Sequence, residues 1–246
     1  MIEYLEFLDE DRFQMKKAIV FLVSWLVLFS LSGCHPSNRG AINNSTIGMS
    51  YSVTKQQYNN DEGGNSIHIE YPLLYSEIYS MTTSNDIIKN GIKQYVTDYY
   101  GADVHNLTLN LSYAVEFSEE NLLSFSFRGL GNVKSAAHPN NLLFTINIGM
   151  PEQNRLKLGE LYFLNADFLG IVKKNLLTQH PSSVNVFNDS ELSALLLQAD
   201  SPTGDCFSFF TKDSLVISIA APHALGDYLE TKIKYAHIQS YLKDAA

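Results

Sequence analysis

The fold class of this chain is decided by the segment LTLNLSYAVEF, residues 107–117. Apolar side chains occupy every second position, which is the period of a β-strand with one buried face and one more polar face. The residues that follow, Ser118-Glu119-Glu120-Asn121, have the composition of a turn. Alternation resumes at 123–127 and again at 142–148. Three successive strands with short or moderate connections predict an antiparallel meander.

Helices are predicted on both sides of this meander. Apolar residues recur at helical spacing over 84–100, with Ser84 as a candidate N-cap, and over 166–179, with Asn165 as a candidate N-cap. Shorter helices are predicted at 190–198 and 236–243, and further strands at 67–72, 206–211, 215–220 and 229–234. Runs of strands separated by helices, without regular βαβ alternation, predict an α+β fold. We expect one or more antiparallel sheets packed against two to four helices.

The composition excludes several classes of protein. Charged residues make up 17% of the 246 residues and apolar residues 45%, so the chain can bury a core and is not intrinsically disordered. Seven prolines and two cysteines exclude a collagen-like or disulfide-dense scaffold. The formal net charge is −9 and no basic stripe is present, so we expect no nucleic-acid partner.

The first 34 residues have the composition of an export signal. Lys16 and Lys17 precede an apolar run at 18–31, which is too short to span a membrane comfortably. The tetrapeptide LSGC at 31–34 resembles the bacterial lipobox, and this implies cleavage before Cys34 and acylation of its thiol with chains such as palmitate. We therefore expect an exported protein that is lipid-anchored to the cell membrane, or to the outer membrane on its periplasmic or surface side if the organism is diderm. The alternative is an ordinary N-terminal membrane anchor with a chance cysteine.

Domain limits follow from these segments. Residues 1–33 are predicted to be a signal peptide, with 1–14 upstream of a true start at Met15 because they are acidic where a signal is basic. Residues 34–66 are polar and rich in Asn, Ser and Gly, which predicts a lipidated tether, although a weak strand at 49–55 could dock on the domain. The globular α+β domain is expected at 67–246, with a division into subdomains 67–130 and 131–246 left open.

Three segments in order carry a family resemblance. They are SAAHPN at 135–140, LKLGELY at 156–162 and APHALG at 221–226, the last followed by IKY at 233–235 and IQSYL at 238–242. This order resembles a family of bacterial extracytoplasmic domains of largely unknown function. The family occurs in the ectodomain of a lysozyme-sensing anti-sigma factor and beside a peptidoglycan N-deacetylase domain. The resemblance implies an α+β domain outside the cytoplasmic membrane, without deacetylase activity, because the catalytic domain is a separate module in those proteins.

Four residues are candidates for ligand binding: His138, Pro139, His223 and Gly226. Each histidine lies in a loop of small residues, where its imidazole can contact a ligand or merely hold the loop through backbone groups. Gly226 is expected to provide a turn with positive φ. Tyr95, Tyr99 and Tyr100 can stack on sugars, although the helical spacing of Tyr95 and Tyr99 favours a core position for these two.

No motif in the sequence assigns chemistry. The chain has no HExxH pair, no GxSxG elbow and no glycine-rich phosphate loop. We therefore assign no catalytic residue, no metal ligand and no cofactor. Cys206 lies in an apolar context, which favours a buried thiol over a reactive one.

Three functions remain open at this point. The first is a non-catalytic envelope lipoprotein that binds a protein or a glycan, such as lysozyme or peptidoglycan. The second is a cell-wall hydrolase, or a deacetylase-associated module, that uses His138 with distant carboxylates. The third is an envelope scaffold or assembly factor.

Overall fold

The strands form two sheets in a computed structural model that describes residues 51–119, 121–134 and 136–243. The larger sheet contains, in sequence order, β1 (Ser52–Asn60), β2 (Ser66–Tyr75), β3 (Leu107–Glu119), β4 (Leu122–Val133), β5 (Asn140–Gly149) and β6 (Asn154–Leu156). The smaller sheet contains β7 (Cys206–Phe210), β8 (Ser214–Ala220) and β9 (Tyr228–Lys234). All neighbouring strands are antiparallel except β2 and β3. The α+β fold class is confirmed.

The helices are α1 (Thr82–Tyr100), α2 (Leu158–Leu161), α3 (Ala166–Gln179), α4 (Asp189–Leu197) and α5 (Tyr235–Ile238). Helix α3 has its predicted limits, and the Oδ1 of Asn165 caps it by accepting from the backbone N of Phe168 at 3.0 Å. The N-cap predicted for α1 is wrong, because the helix begins two residues earlier and Ser84 is buried inside it. The Ser84 Oγ donates instead to Oε1 of Gln153 at 3.0 Å.

The larger sheet begins earlier than predicted. β1 occupies 52–60 and pairs with β2 along its whole length, so residues 51–66 belong to the domain rather than to a tether. The weak strand expected at 49–55 is the start of β1. Its outward positions are polar and exposed, which is why its composition resembled a tether. β2 then crosses over through α1 to pair in parallel with β3, which makes one βαβ unit inside an otherwise antiparallel sheet.

Two hydrophobic cores lie on the two sheets. The first lies mainly between α1 and the larger sheet, and the second packs α3 and α4 on the smaller sheet. Phe207 of β7 belongs to the first core, so the two sheets pack against each other within one compact unit. The alternative division at 130/131 falls inside β4, and the sheets separate instead after Leu156.

The buried carboxylate of Asp200 joins the two sheets. Its Oδ1 accepts from the backbone N of Ser208 in β7 at 2.7 Å and from the Oγ1 of Thr145 in β5 at 3.3 Å. Its Oδ2 accepts from the Oγ of Ser208 at 2.7 Å and from the backbone N of Leu158 at 2.9 Å. Burial raises the pKa of Asp200, and the hydrogen bonds from Ser208 and Leu158 together with the nearby charge of Arg155 oppose that rise.

A partly buried arginine makes a second link between the sheets. Arg128 of β4 donates to Glu116 of β3 at 2.8 Å and to Glu230 of β9 at 3.0 Å. Its guanidinium also lies 5.2 Å from the ring centroid of Phe209. The ion pair with Glu230 thus ties β4 of the larger sheet to β9 of the smaller sheet.

The strand register defines two ends of the larger sheet. At the end where the described chain begins, Ser52 pairs with Tyr75, and Tyr51 Oη lies 2.7 Å from Ser118 Oγ. We call this the proximal end. At the other end, Leu107 pairs with Val133 and Asn140 pairs with Gly131, and we call this the distal end. β3 has 13 residues, so the two ends are about 40 Å apart.

The predicted signal peptide (1–33), Cys34 and the first part of the predicted tether lie outside the described residues. Within the described ranges, no helix combines the length and the apolar character needed to cross a membrane.

Candidate functional site

Two loops at the distal end bring His138 and His223 into contact. His138 precedes β5 of the larger sheet, and His223 follows β8 of the smaller sheet. Their rings stack with centroids 3.6 Å apart and an angle of 11° between the ring planes. Both side chains are exposed, and 47% of the His223 side chain is accessible. The structure therefore brings together two of the residues that the sequence singled out in separate motifs.

The backbone of the second loop positions His223. A single 3₁₀ turn covers His223–Leu225, and it ends at Gly226, which has φ 99° and ψ 20°. The expected positive φ at Gly226 is thus confirmed. Asp227 follows with φ 72°, and its backbone O accepts from the N of Ala221 at 2.8 Å, which closes the base of the loop. A side chain is strained at such φ values, and glycine adopts them freely.

The carboxylate of Asp227 fixes the histidine and links the two sheets. His223 Nδ1 lies 2.8 Å from Oδ1 of Asp227. Oδ2 of Asp227 accepts from the backbone N and the Nδ2 of Asn141, at 2.7 and 3.0 Å. Partial burial raises the pKa of Asp227, but the hydrogen bonds from Asn141 and His223 outweigh it and hold that pKa below its ordinary value. The carboxylate is therefore charged at neutral pH.

His138 is held much less firmly. Its Nδ1 lies 3.3 Å from the carbonyl O of Pro139, the next residue, and Pro139 is itself exposed. We considered that His138 holds its loop by bonding backbone groups across the turn. In the described residues its one hydrogen bond is this contact with the adjacent residue. The His138 ring also stacks on His223.

Tyr99, in the last turn of α1, contacts the residues around the two histidines. Its side chain is 48% exposed, and its hydroxyl forms a hydrogen bond with Asn140. Burial, and then the negative charges of Asp227 and Asp205, raise the pKa of Tyr99. The sequence favoured a core position for Tyr99 because it follows Tyr95 at helical spacing. The sequence did contain a sign of its exposure, because Tyr99 lies in the last turn of the helix, just before Gly101.

The other two tyrosines belong to the core. Tyr95 is buried, and its ring stacks on Phe144 at 4.0 Å between centroids. The Tyr100 ring packs against Gly131, where a Cβ would lie 1.7 Å from the Tyr100 hydroxyl oxygen. Of the three tyrosines considered for stacking on sugars, only Tyr99 offers an exposed face.

Taken together, the distal surface consists of exposed aromatic faces beside hydrogen-bonding groups. Its members are Tyr99, His138, Pro139, Asn140, Asn141, Asp205, His223 and Asp227. Within residues 51–119, 121–134 and 136–243, neither imidazole of the pair hydrogen-bonds to a Ser, Thr or Cys nucleophile. Nor do three His, Cys, Asp or Glu side chains gather in those ranges to hold a metal ion. The arrangement is suited to binding polar groups with several donors and acceptors.

A separate groove of about 540 Å³ lies on the smaller-sheet side and contains none of the predicted site residues. Lys157, Tyr162, Phe163, Leu197 and Lys243 are among the residues that line it.

Comparison with known proteins supports the fold alone. No family model and no curated protein matches the chain. A solved structure of a DUF3298 family member from Bacteroides fragilis is similar over 80% of this chain and 94% of its own, with 14% identity and a TM-score of 0.50. A DUF3298 family protein from Pseudomonas aeruginosa PAO1 has 11% identity and a TM-score of 0.48 over 80% of this chain and 95% of its own. The structural neighbours are therefore bacterial domains of unknown function.

Proposed function

We propose that this protein is a lipid-anchored envelope protein whose non-catalytic domain binds a peptidoglycan-like glycan at the distal surface. The observation that carries the proposal is the convergence of His138 and His223 from two sheets into one exposed, stacked pair. Two loops that are far apart in sequence meet there, and Asp227 ties the loop of His223 to Asn141 at the start of β5. The anchored loop presents His223 to solvent from a fixed position, with His138 stacked on it.

The chemistry of the distal surface matches a glycan. Sugar hydroxyls and acetamido groups both donate and accept hydrogen bonds, and the surface offers carboxylates, amides and imidazoles that do the same. The apolar faces of pyranose rings pack on aromatic side chains, and Tyr99 provides such a face beside the polar groups. The proposal therefore assigns stacking to Tyr99 and hydrogen bonding to His138, His223 and Asn140.

The position of the surface is consistent with display away from an anchor. If Cys34 is acylated, the lipid lies 17 residues before Tyr51, and Tyr51 is at the proximal end. The distal surface is about 40 Å away along β3 and faces outward from that point of attachment. The distal end is thus the end of the sheet farther from the proposed anchor.

Binding of the native lipoprotein to purified peptidoglycan, measured by co-sedimentation, tests this function. We expect Tyr99→Ala and His223→Ala to weaken binding at least about tenfold, which corresponds to about 1.4 kcal/mol. Phe163→Ala is the matched control, because Phe163 is an aromatic side chain with 55% exposure, lies away from the predicted site residues, and its loss should leave binding unchanged. Retention no greater than that of an unrelated lipoprotein, or equal losses in all three variants, would reject the glycan. Binding of lysozyme instead, lost with Tyr99→Ala, would assign the surface to a protein.

A hydrolase is the second candidate, and one observation favours it. The Asp227–His223 bond is the arrangement that orients a general base, because it leaves Nε2 of His223 open to accept a proton. The base would then be His223 rather than His138, which has no carboxylate partner in the described chain. Release of reducing ends or acetate from peptidoglycan, abolished by Asp227→Asn while binding persists, would replace the binding function with this one.

A further inference from the structure

A short loop at the proximal end exposes three large apolar side chains. Tyr75, Ile78 and Tyr79 are 59%, 71% and 45% exposed, and they are three of the nine large apolar residues exposed in the described part of the chain. All three fall within five consecutive positions, with Tyr75 the last residue of β2 and the other two in the loop before α1. Monomeric soluble domains seldom expose a cluster of this kind without a partner for it.

The loop is held in this exposed conformation by its own hydrogen bonds. The Oγ of Ser76 accepts from the backbone N of Ile78 and of Tyr79, both at 3.3 Å. At the far side of the loop, Gln153 Nε2 donates to the backbone O of Ser80 at 2.8 Å, and Met81 is buried. The apolar side chains are thus presented outward by an anchored turn, and docking would require little ordering of the loop.

The position of the loop indicates what it meets. Tyr75 pairs with Ser52, so the loop lies where the described chain begins. Cys34 precedes Tyr51 by 17 residues, which span at most about 60 Å when fully extended. A lipid on Cys34 therefore keeps the whole domain near the bilayer, and the proximal end, which follows the predicted tether directly, has the higher effective concentration there.

We propose that Tyr75, Ile78 and Tyr79 dock on the bilayer that holds the lipid anchor. This inference rests on the anchoring in the proposed function and adds an orientation, with the distal surface directed away from the lipid. Tyrosine rings suit the headgroup region because one end is apolar and the other is polar, and Ile78 reaches the acyl chains. Glu77 lies in the same loop, so the docking is apolar and does not depend on anionic lipid.

Fluorescence of the native lipoprotein in phosphatidylethanolamine–phosphatidylglycerol vesicles tests the docking. A polarity-sensitive label is attached at Ile78→Cys, and the matched control is Leu130→Cys, an exposed aliphatic position (50%) that pairs with Asn141 near the distal end. Native Cys206 is buried and does not compete for the label. We expect the emission of the label at 78 to shift to the blue and to be quenched by lipids with brominated chains. The emission of the label at 130 should stay that of an aqueous environment.

The possible failures are distinguishable. In a flotation assay, the chain may rise with the vesicles while the emission of the label at 78 stays that of an aqueous environment. This result overturns the docking and leaves the anchoring intact. A blue shift at 78 without quenching by brominated lipid assigns the loop to a protein contact, such as a second copy, and also overturns the docking. A native chain that does not float with vesicles overturns the anchoring and the docking together.

Discussion

Substitution of Asp200 by asparagine tests how the two sheets are held together. Asparagine has nearly the same shape and tolerates the positive φ of 64° at this position, so the backbone need not change. The change replaces one carboxylate oxygen by an amide NH₂. In the wild-type protein Oδ1 accepts from the backbone N of Ser208 and Oδ2 from the backbone N of Leu158. Either orientation of the amide therefore places a donor against a buried backbone N–H.

The magnitude follows from that conflict. One buried, unpaired backbone N–H costs about 1–3 kcal/mol. Two further effects oppose each other. The remaining hydrogen bonds to residue 200 weaken because their acceptor is no longer charged, but the variant also avoids the cost of burying a charge. We expect Asp200→Asn to lower the free energy of unfolding by about 2 kcal/mol at pH 7. For a domain of this size the melting temperature should fall by about 4–8 °C.

Urea denaturation of the two proteins over a range of pH is the assay. The control is Asp205→Asn, an exposed carboxylate near the same strand, which should change stability by less than about 0.5 kcal/mol. Burial raises the pKa of Asp200 in the folded state, so its contribution to stability is complete below its ordinary pKa and is lost as pH rises through the folded pKa. The gap between wild type and Asp200→Asn should therefore be widest in acid. If Asp200→Asn unfolds at the same urea concentration as the wild type, the carboxylate does not hold the sheets.

Two further predictions concern the distal end and the sheet. Gly129→Ala places a Cβ 1.8 Å from the backbone O of Asn110 and should cost about 3 kcal/mol of unfolding free energy, whereas Gly170→Ala in α3 meets no atom within 4 Å and should gain about 0.5–1 kcal/mol. Similar urea midpoints for these two variants would contradict the close approach of β4 to β3 at Gly129. The pKa of Asp227 is lowered in the folded state, so the stability it provides above its ordinary pKa is lost as pH falls through the folded value. Thermal melts from neutral to acidic pH should show this loss in the wild type and not in Asp227→Asn. Parallel curves would mean that the bonds of Asp227 to His223 and Asn141 do not stabilise the fold.

The elements that local chemistry determines were predictable from the sequence. The meander of β3, β4 and β5 follows from alternation, and the start of α3 follows from the cap at Asn165. β1 was not predictable as a strand of nine residues, because an edge strand with an exposed polar face has the composition of a tether. The parallel pairing of β2 with β3 depends on α1 crossing over the sheet, and no local pattern encodes that crossing.

The candidate site was predictable only in its parts. Small-residue loops before β5 and after β8 marked His138 and His223, but nothing in either loop encodes their contact across two sheets. The contribution of Asp227 was also hidden, since an Asp beside Gly226 in a turn is usually solvated. Its bond to Asn141 becomes visible only when the smaller sheet is docked on the larger one.

The distal surface therefore depends on the docking of the sheets as much as on its own residues. His138 follows β4 and precedes β5, whereas His223 is carried by the smaller sheet, so any separation of the sheets parts the stacked rings. Asp200 links those sheets without being one of the residues of the distal surface. If the stacked pair binds the ligand, Asp200→Asn should weaken binding by loosening the distal surface, even though every residue that contacts the ligand is unchanged. A ligand that binds only the docked sheets must in turn stabilise the domain against urea, and the same two proteins measured with and without peptidoglycan would show it.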